Sequence, residues 1–344
     1  MHLSDLSLLF YNEPITILSV ILLSGVITVN GWTDAPTAIA TCITTKSLTP
    51  KKAIILASFM NFAGVALMSA VSGKVTDTVS EIVDLGNNTA TACITLCATM
   101  ITIIVWAVTA WFFGIPTSES HALISALSGA AVAQSGDFTS ISVNEIKKVI
   151  SGLFLSVFTG FLSGFLFTKI TIYFIKNRNR IITDTYFRHM QNIAAALMAF
   201  MHGAQDGQKF IGVFILIKNY SSLNNTTNNI SLIFFVSLLM AAGTSIGGIR
   251  IIKKMGNDMV RLKKYQGFSA DLSGSFSLLL STLTGLPVST THTKTTAIMG
   301  VGIATDKSGV DWKIAKEMII TWLLTFPGCG FLGYLITCIF LTVR

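Results

Sequence analysis

Charge is what this sequence lacks most. Of its 344 residues only 12% are Asp, Glu, Lys or Arg while 51% are hydrophobic, against roughly a quarter charged in an average soluble domain. The shortage excludes an ordinary water-soluble domain and makes lipid the main solvent. Cysteine is scarce too: the five residues at 42, 93, 97, 329 and 338 all sit in apolar surroundings. Cys93 and Cys97, one helical turn apart, have no His or Cys companions nearby, so a disulfide framework or a metal site is excluded and small buried hydrophobes are expected. The N-terminus also lacks the basic flank and short apolar core of a cleavable leader, so the first apolar run is expected in the mature protein.

What is present is a series of apolar runs. Residues 53–73, 90–113, 149–168 and 231–249 carry no charge, and each has about the 20 residues that a helix needs to cross the hydrocarbon. Residues 15–45, 191–217 and 318–343 are similarly long but contain polar, Pro or Gly interruptions. An all-α polytopic membrane protein with about ten crossings is expected. The net charge of +8 is not spread as a nucleic-acid surface would need. It gathers at Lys46, Lys51 and Lys52, at Lys176, Arg178, Arg180 and Arg188 around Asp184, and at Arg250, Lys253, Lys254, Arg261, Lys263 and Lys264 around Asp258. These loops are assigned to the cytoplasm by the positive-inside rule. The stretch with Asp5 and Glu13, the loop with Asp77, Glu81 and Asp84, and residues 219–229 are then external, with the sequons at Asn87, Asn224 and Asn225 in external loops.

The two halves of the chain share motifs. "NGWTDAP" at 30–36 is matched by "HGAQDGQ" at 202–208, and "GIPTSESH" at 114–121 by "GLPVSTTH" at 285–292. The runs bearing them enter the membrane from opposite sides, which predicts two inverted-topology repeats, 1–175 and 191–344, joined by a basic cytoplasmic linker at 176–190. Both termini come out external. Membrane-embedded backbone leaves the helix only where protein or a cavity surrounds it, so each Gly-x-Pro predicts a broken helix or re-entrant hairpin, with the proline in the first turn of a half-helix. Free amides and the positive end of that half-helix make an anion site. Ser118 and Ser120 from one half, with Ser289, Thr290 and Thr291 from the other, are a candidate two-sided cradle for a small oxyanion. One copy alone would read as hydroxyls satisfying kinked backbone; duplication favours the ligand reading.

Asp34 and Asp206 are the only carboxylates in their apolar runs, and such a group costs about 2.5–3.5 kcal/mol on insertion scales. A carboxylate repels an oxyanion, so a cation is expected between them, either Na⁺ held by Asp34 and Asp206 or a proton. Asn30, Thr33, Gln205 and Gln208 complete an oxygen-rich shell, Gln208 also being within the oxyanion candidates. Lys209 is either an ion-pair partner of Asp206 or an oxyanion contact.

The segments "NGWTDAPTAIATCITTKSLT", "MHGAQDGQKFIGV", "GIPTSESHALISALSGA", "GLPVSTTHTKTTAIMGVG" and "KKMGNDMVRLKKYQGFSAD" together resemble the inorganic phosphate transporter (PiT) family, whose pattern is G-A-N-D followed by P-x-S-T-T-H, over nearly the whole chain. The resemblance implies a secondary transporter that imports inorganic phosphate with a cation, its acidic positions at Asp34 and Asp206, its hydroxyl loops at Ser118, Ser120, Ser289, Thr290 and Thr291, and His121 and His292 closing each motif.

Departures from the pattern bear on the coupling ion, Na⁺ or H⁺. Thr33 and Gln205 replace the asparagine before each aspartate, Asn61 stands where relatives often have an acid, and Glu119 brings a carboxyl group into the cradle, where a proton-carrying or cation-binding role is expected. His121 and His292 either contact phosphate, act in proton coupling or bond a backbone carbonyl; His202 reads as a packing contact and His189 as solvated. A sulfate permease is the alternative, and an intramembrane hydrolase, a cation channel or a non-transporting receptor are more remote. No prosthetic group is expected. The expected setting is the plasma membrane, with the bilayer, phosphate and the coupling cation as partners, no nucleic acid, and a homodimer left open.

Overall fold

The computed structural model describes residues 14–221, 229–247, 252, 260–306 and 309–342. Asp5, Glu13, Asn224, Asn225, Arg250, Lys253, Lys254, Asp258 and both chain ends lie outside the described residues. Among the described residues there is no strand, only an isolated antiparallel bridge between Val83 and Ile141.

Two helices, α1 (Pro14–Thr33) and α2 (Ala35–Thr44), divide the first apolar run at Asp34; α3 (Pro50–Val71), the short α4 (Lys74–Ser80), α5 (Thr89–Phe112), α6 (Glu119–Ser135) and α7 (Val143–Ile175) complete the first half. The second half holds α8 (Arg180–Asn219), α9 (Asn229–Ile246), α10 (Lys264–Thr284), α11 (Thr290–Thr305) and α12 (Trp312–Thr342). Proline placement explains several boundaries. Pro36 and Pro50 stand in the first turns of α2 and α3, where a missing N–H costs nothing. Only Pro327 lies inside a helix, α12.

Among the described residues five helical stretches, Pro14–Thr44, Pro50–Val71, Thr89–Phe112, Val143–Ile175 and Trp312–Thr342, are long and apolar enough to cross a bilayer. The polar motif at its middle keeps α8 out of that set. Of the linker expected at 176–190, only 176–179 leaves the helix. Asn179 caps α8 by accepting from the Ile181 amide at 2.9 Å, so Arg180 to Met190 are the first turns of a helix 40 residues long. At 1.5 Å per residue that is about 60 Å, twice the hydrocarbon thickness.

The molecule exposes apolar side chains on its outside and buries polar segments among its hydrophobic clusters. Phe154, Phe158, Tyr173 and Phe174 of α7 are exposed, whereas every residue from Thr290 to Thr296 is buried. Hydrocarbon solvent favours this arrangement, since buried polar groups then find partners in the protein. The helices also exchange partners between halves: α6 packs on α12 and α11 on α7, while α3 packs on α8 and α9 on α1. Close approach makes these crossings tight. A Cβ on Gly129 would lie 2.0 Å from the Gly330 carbonyl oxygen of α12, and one on Gly64 would lie 2.0 Å from the Phe200 oxygen of α8.

Candidate functional site

The two Gly-x-Pro elements fold alike. α5 and α10 end in Schellman caps: Gly114 and Gly285 take φ of 65° and 76°, and the next amides, Ile115 and Leu286, each bond the carbonyl five residues back at 2.9 Å. Glycine is needed there because other residues resist that φ. An extended stretch then leads to the N-caps of α6 and α11, Ser118 and Ser289, whose hydroxyl oxygens accept from the His121 and His292 amides at 3.2 Å. Pro116 and Pro287 therefore stand two residues ahead of the caps, not in the first turn as expected. Proline keeps its predecessor out of the α conformation, which holds the approach extended and leaves the cap to serine. Each half-helix presents its first-turn amides and its positive end inward.

Between these termini lies a buried acidic cluster. Asp34, at the break between α1 and α2, reaches α11: Thr290 Oγ1 donates to its Oδ2 at 3.1 Å, and the Thr291 hydroxyl bonds Oδ1. Asp206 sits in the middle of α8, which stays helical through the second copy because Gln208 stands where the first has Pro36. Asn30 Nδ2 donates to Asp206 Oδ2 at 3.2 Å. His202, one turn earlier, places Nε2 3.4 Å from the same oxygen.

Its other nitrogen, Nδ1, faces Asn61 Oδ1 at 3.1 Å, and Asn61 Nδ2 donates to Thr244 Oγ1 at 3.0 Å. The Thr244 hydroxyl is spent on the Met240 carbonyl, so this chain assigns the proton to Nδ1 and turns Nε2 toward the carboxylates. Donor atoms of Asp34, His202 and Asp206 all lie within 4.8 Å of one another. Two carboxylates and an imidazole suit a cation.

Glu119 opens α6, is buried, and contacts the Thr33 hydroxyl through Oε1. Lys209, one turn after Asp206 and 1% exposed, donates to Asp206 Oδ1 at 2.7 Å, Ser120 Oγ at 2.5 Å and the Val288 carbonyl at 2.5 Å. Ser120 also donates to Val288 O at 3.2 Å. Gln205 Nε2 ties α8 to Thr282 Oγ1 at 3.2 Å and Leu286 O at 3.3 Å. Several buried polar atoms on these segments have no hydrogen-bond partner among the described residues: Asn30 Oδ1, Glu119 Oε2, Gln205 Oε1 and both amide atoms of Gln208. Buried polar groups rarely stay unpaired, so their concentration at one place marks a site for a polar ligand.

The structure thus brings Asp34, Asp206, Asn30, Thr33, Glu119, Ser120, Thr290, Thr291 and Lys209 together, whereas Gln205 turns to Thr282 and Leu286 and the Gln208 side chain bonds none of the described residues. Ser118 and Ser289 spend their oxygens as caps, each retaining a hydroxyl proton. His121 and His292 bond no backbone carbonyl. Their rings meet edge-on at 4.5 Å between centroids and stack on Phe326 and Trp322 of α12, and none of the four ring nitrogens has a partner among the described residues.

Two groups escaped the sequence reading. His202 belongs to the acidic cluster instead of serving as a packing contact alone; its position one turn before Asp206 was the available signal. The buried pair Lys294–Asp271, with Thr41 Oγ1 donating to Asp271 Oδ1 at 2.5 Å, joins α11, α10 and α2. Two charges in apolar stretches without local partners point to such a pairing. None of the five cysteines forms a disulfide, and all but Cys338 are buried.

These features define a polytopic membrane protein whose polar centre is assembled from broken and half-length helices. The phosphate transporter family model matches residues 30–333. A "Probable low-affinity inorganic phosphate transporter" of Bacillus subtilis is 37% identical over 93% of this chain and 95% of its own length. A protein of the same description from Rhizobium meliloti is 33% identical over 89% and 90%. The chain belongs to the phosphate transporter family, a family of transporters and not of enzymes. Its fold matches a solved structure described as "The sodium-dependent phosphate transporter", with a TM-score of 0.84 at 18% identity, over 96% of this chain and all of that one.

Proposed function

We propose that the protein imports inorganic phosphate across the plasma membrane by symport with a cation. The observation that carries this reading is the meeting of two serine-capped half-helix termini at the buried Asp34–His202–Asp206 cluster. The termini, the uncommitted hydroxyl protons of Ser118 and Ser289 and the Gln208 amide supply donors for an oxyanion, and Ser120, Thr290 and Thr291 add theirs when their bonds to Val288 and Asp34 are exchanged for the ligand. The carboxylates Asp34, Asp206 and Glu119 supply charge for a cation. They also favour phosphate over sulfate, because only phosphate carries protons near neutrality and can donate to a carboxylate. Glu119 acts as a proton carrier or cation ligand. His121 and His292, at the half-helix starts, contact phosphate or carry protons.

The partner exchange of α6 with α12 and α11 with α7 supports two inverted repeats, 1–175 and 191–344, with about ten crossings counting the half-helices and both termini external. In such an arrangement alternating access moves one set of helices past the other around the shared site.

Uptake of labelled phosphate into proteoliposomes, with Na⁺ and proton gradients imposed separately and unlabelled sulfate as competitor, tests the reading. Gradient-driven uptake that resists sulfate is expected. Full competition by sulfate would reassign the substrate, and absence of uptake under both gradients would reject transport of phosphate.

A further inference from the structure

We propose that the ammonium of Lys209 is a tethered cation in a cage of the kind an alkali ion occupies, so that this transporter needs no Na⁺ at Asp206. The inference rests on the transport reading and concerns only the ion.

An ammonium has three donors. Those of Lys209 point to a carboxylate oxygen of Asp206, the hydroxyl of Ser120 and the main-chain carbonyl of Val288, at 2.7, 2.5 and 2.5 Å. All three are spent on protein oxygens, which leaves none for an anion. Carboxylate, hydroxyl and the carbonyl of unwound backbone are the hard ligands by which broken-helix transporters hold Na⁺. They come from three segments: α8, the first turn of α6 and the extended stretch before α11. The ammonium therefore bridges both halves, as a bound ion would, while remaining fixed to α8. It neutralises Asp206. Asp34 and Glu119 have no basic group hydrogen-bonded to them, Asp34 meeting threonine hydroxyls and Glu119 the Thr33 hydroxyl. The mobile positive charge that accompanies phosphate is therefore a proton, carried on those two carboxyl groups and not as Na⁺.

The test compares the wild type with Lys209→Ser, which opens the cage, and Lys209→Met, which fills it without charge. Two readouts are taken: phosphate uptake into proteoliposomes with external Na⁺ replaced by choline, and ²²Na⁺ binding to the detergent-solubilised protein. Wild-type uptake should change less than twofold on removing Na⁺, and neither wild type nor Lys209→Met should bind ²²Na⁺ displaceably. Lys209→Ser should bind ²²Na⁺, and its uptake should fall at least tenfold without Na⁺ and recover with it. A wild type that requires Na⁺ or binds it would overturn the proposal, as would a monodisperse Lys209→Ser that binds none. Lys209→Asn replaces the serine variant where that variant is not monodisperse. If the wild type moves no phosphate under any gradient, the transport reading fails while the ²²Na⁺ comparison still decides the role of Lys209.

Discussion

The residues that carry charge in the interior divide into a closed pair and an open cluster. Lys294 and Asp271 are both fully buried and face each other. The motif offset of 171 residues maps these positions onto Leu123 and Met100, which are also buried. The first half thus does with apolar packing what the second does with an ion pair. Breaking a buried pair leaves an uncompensated charge, worth about 3–5 kcal/mol, whereas apolar replacement of both partners is often neutral. Asp271→Asn should accordingly lower the melting temperature in detergent sharply, and the double change Asp271→Met with Lys294→Leu should recover most of it. In the open cluster, Asp34→Asn removes the carboxylate that meets Thr290 and Thr291 while keeping hydrogen-bonding atoms. Phosphate uptake in proteoliposomes should fall at least a hundredfold with little change in melting. Glu119→Gln should flatten the pH dependence of uptake; an unaltered pH and cation dependence would remove Glu119 from the coupling path.

At the level of elements, the half-helices depend on their caps and on their seats. Ser118 and Ser289 each satisfy a first-turn amide, and loss of such a cap costs about 1 kcal/mol. Ser118→Ala and Ser289→Ala should each lower stability by that order. The seat of α6 on α12 is stricter. Gly129→Val would drive side-chain carbons into the Gly330 carbonyl. Overpacking of this kind costs about 1–3 kcal/mol and more where backbone must move, so loss of the monodisperse peak in size-exclusion chromatography is expected. Gly73→Ala, where an added Cβ meets nothing within 4 Å, should behave as wild type. The half-helix breaks were readable in the sequence because Gly, Pro and Ser act within a few residues of where they stand. The continuity of α8 through Asp206 follows from the absence of a proline there. The stacking of His121 and His292 on Phe326 and Trp322 was not readable, since nothing in either motif points to aromatic partners that lie well beyond it in the chain.

For the whole molecule, the basic clusters predict an orientation that labelling can check. With an impermeant maleimide applied to intact cells, Asp84→Cys should react at once and Lys51→Cys only after permeabilisation, measured against the low background of buried native cysteines. The reverse pattern would invert the topology and place phosphate entry on the other face. Composition alone decided that the chain lives in lipid, because hydrocarbon selects long uncharged runs wherever they fall. Motif repetition and local breaker chemistry nominated the residues of the candidate site and marked both Gly-x-Pro elements. Only the tertiary structure decided which of those residues touch. Asn30 meets Asp206 across 176 residues, Asp34 meets Thr290 across 256, and Lys209 takes Val288 as a ligand across 79. Such pairings depend on how helices from the two halves cross, and crossing is set by the packing of glycine faces and buried side chains distant in sequence, for which no single segment carries the signal.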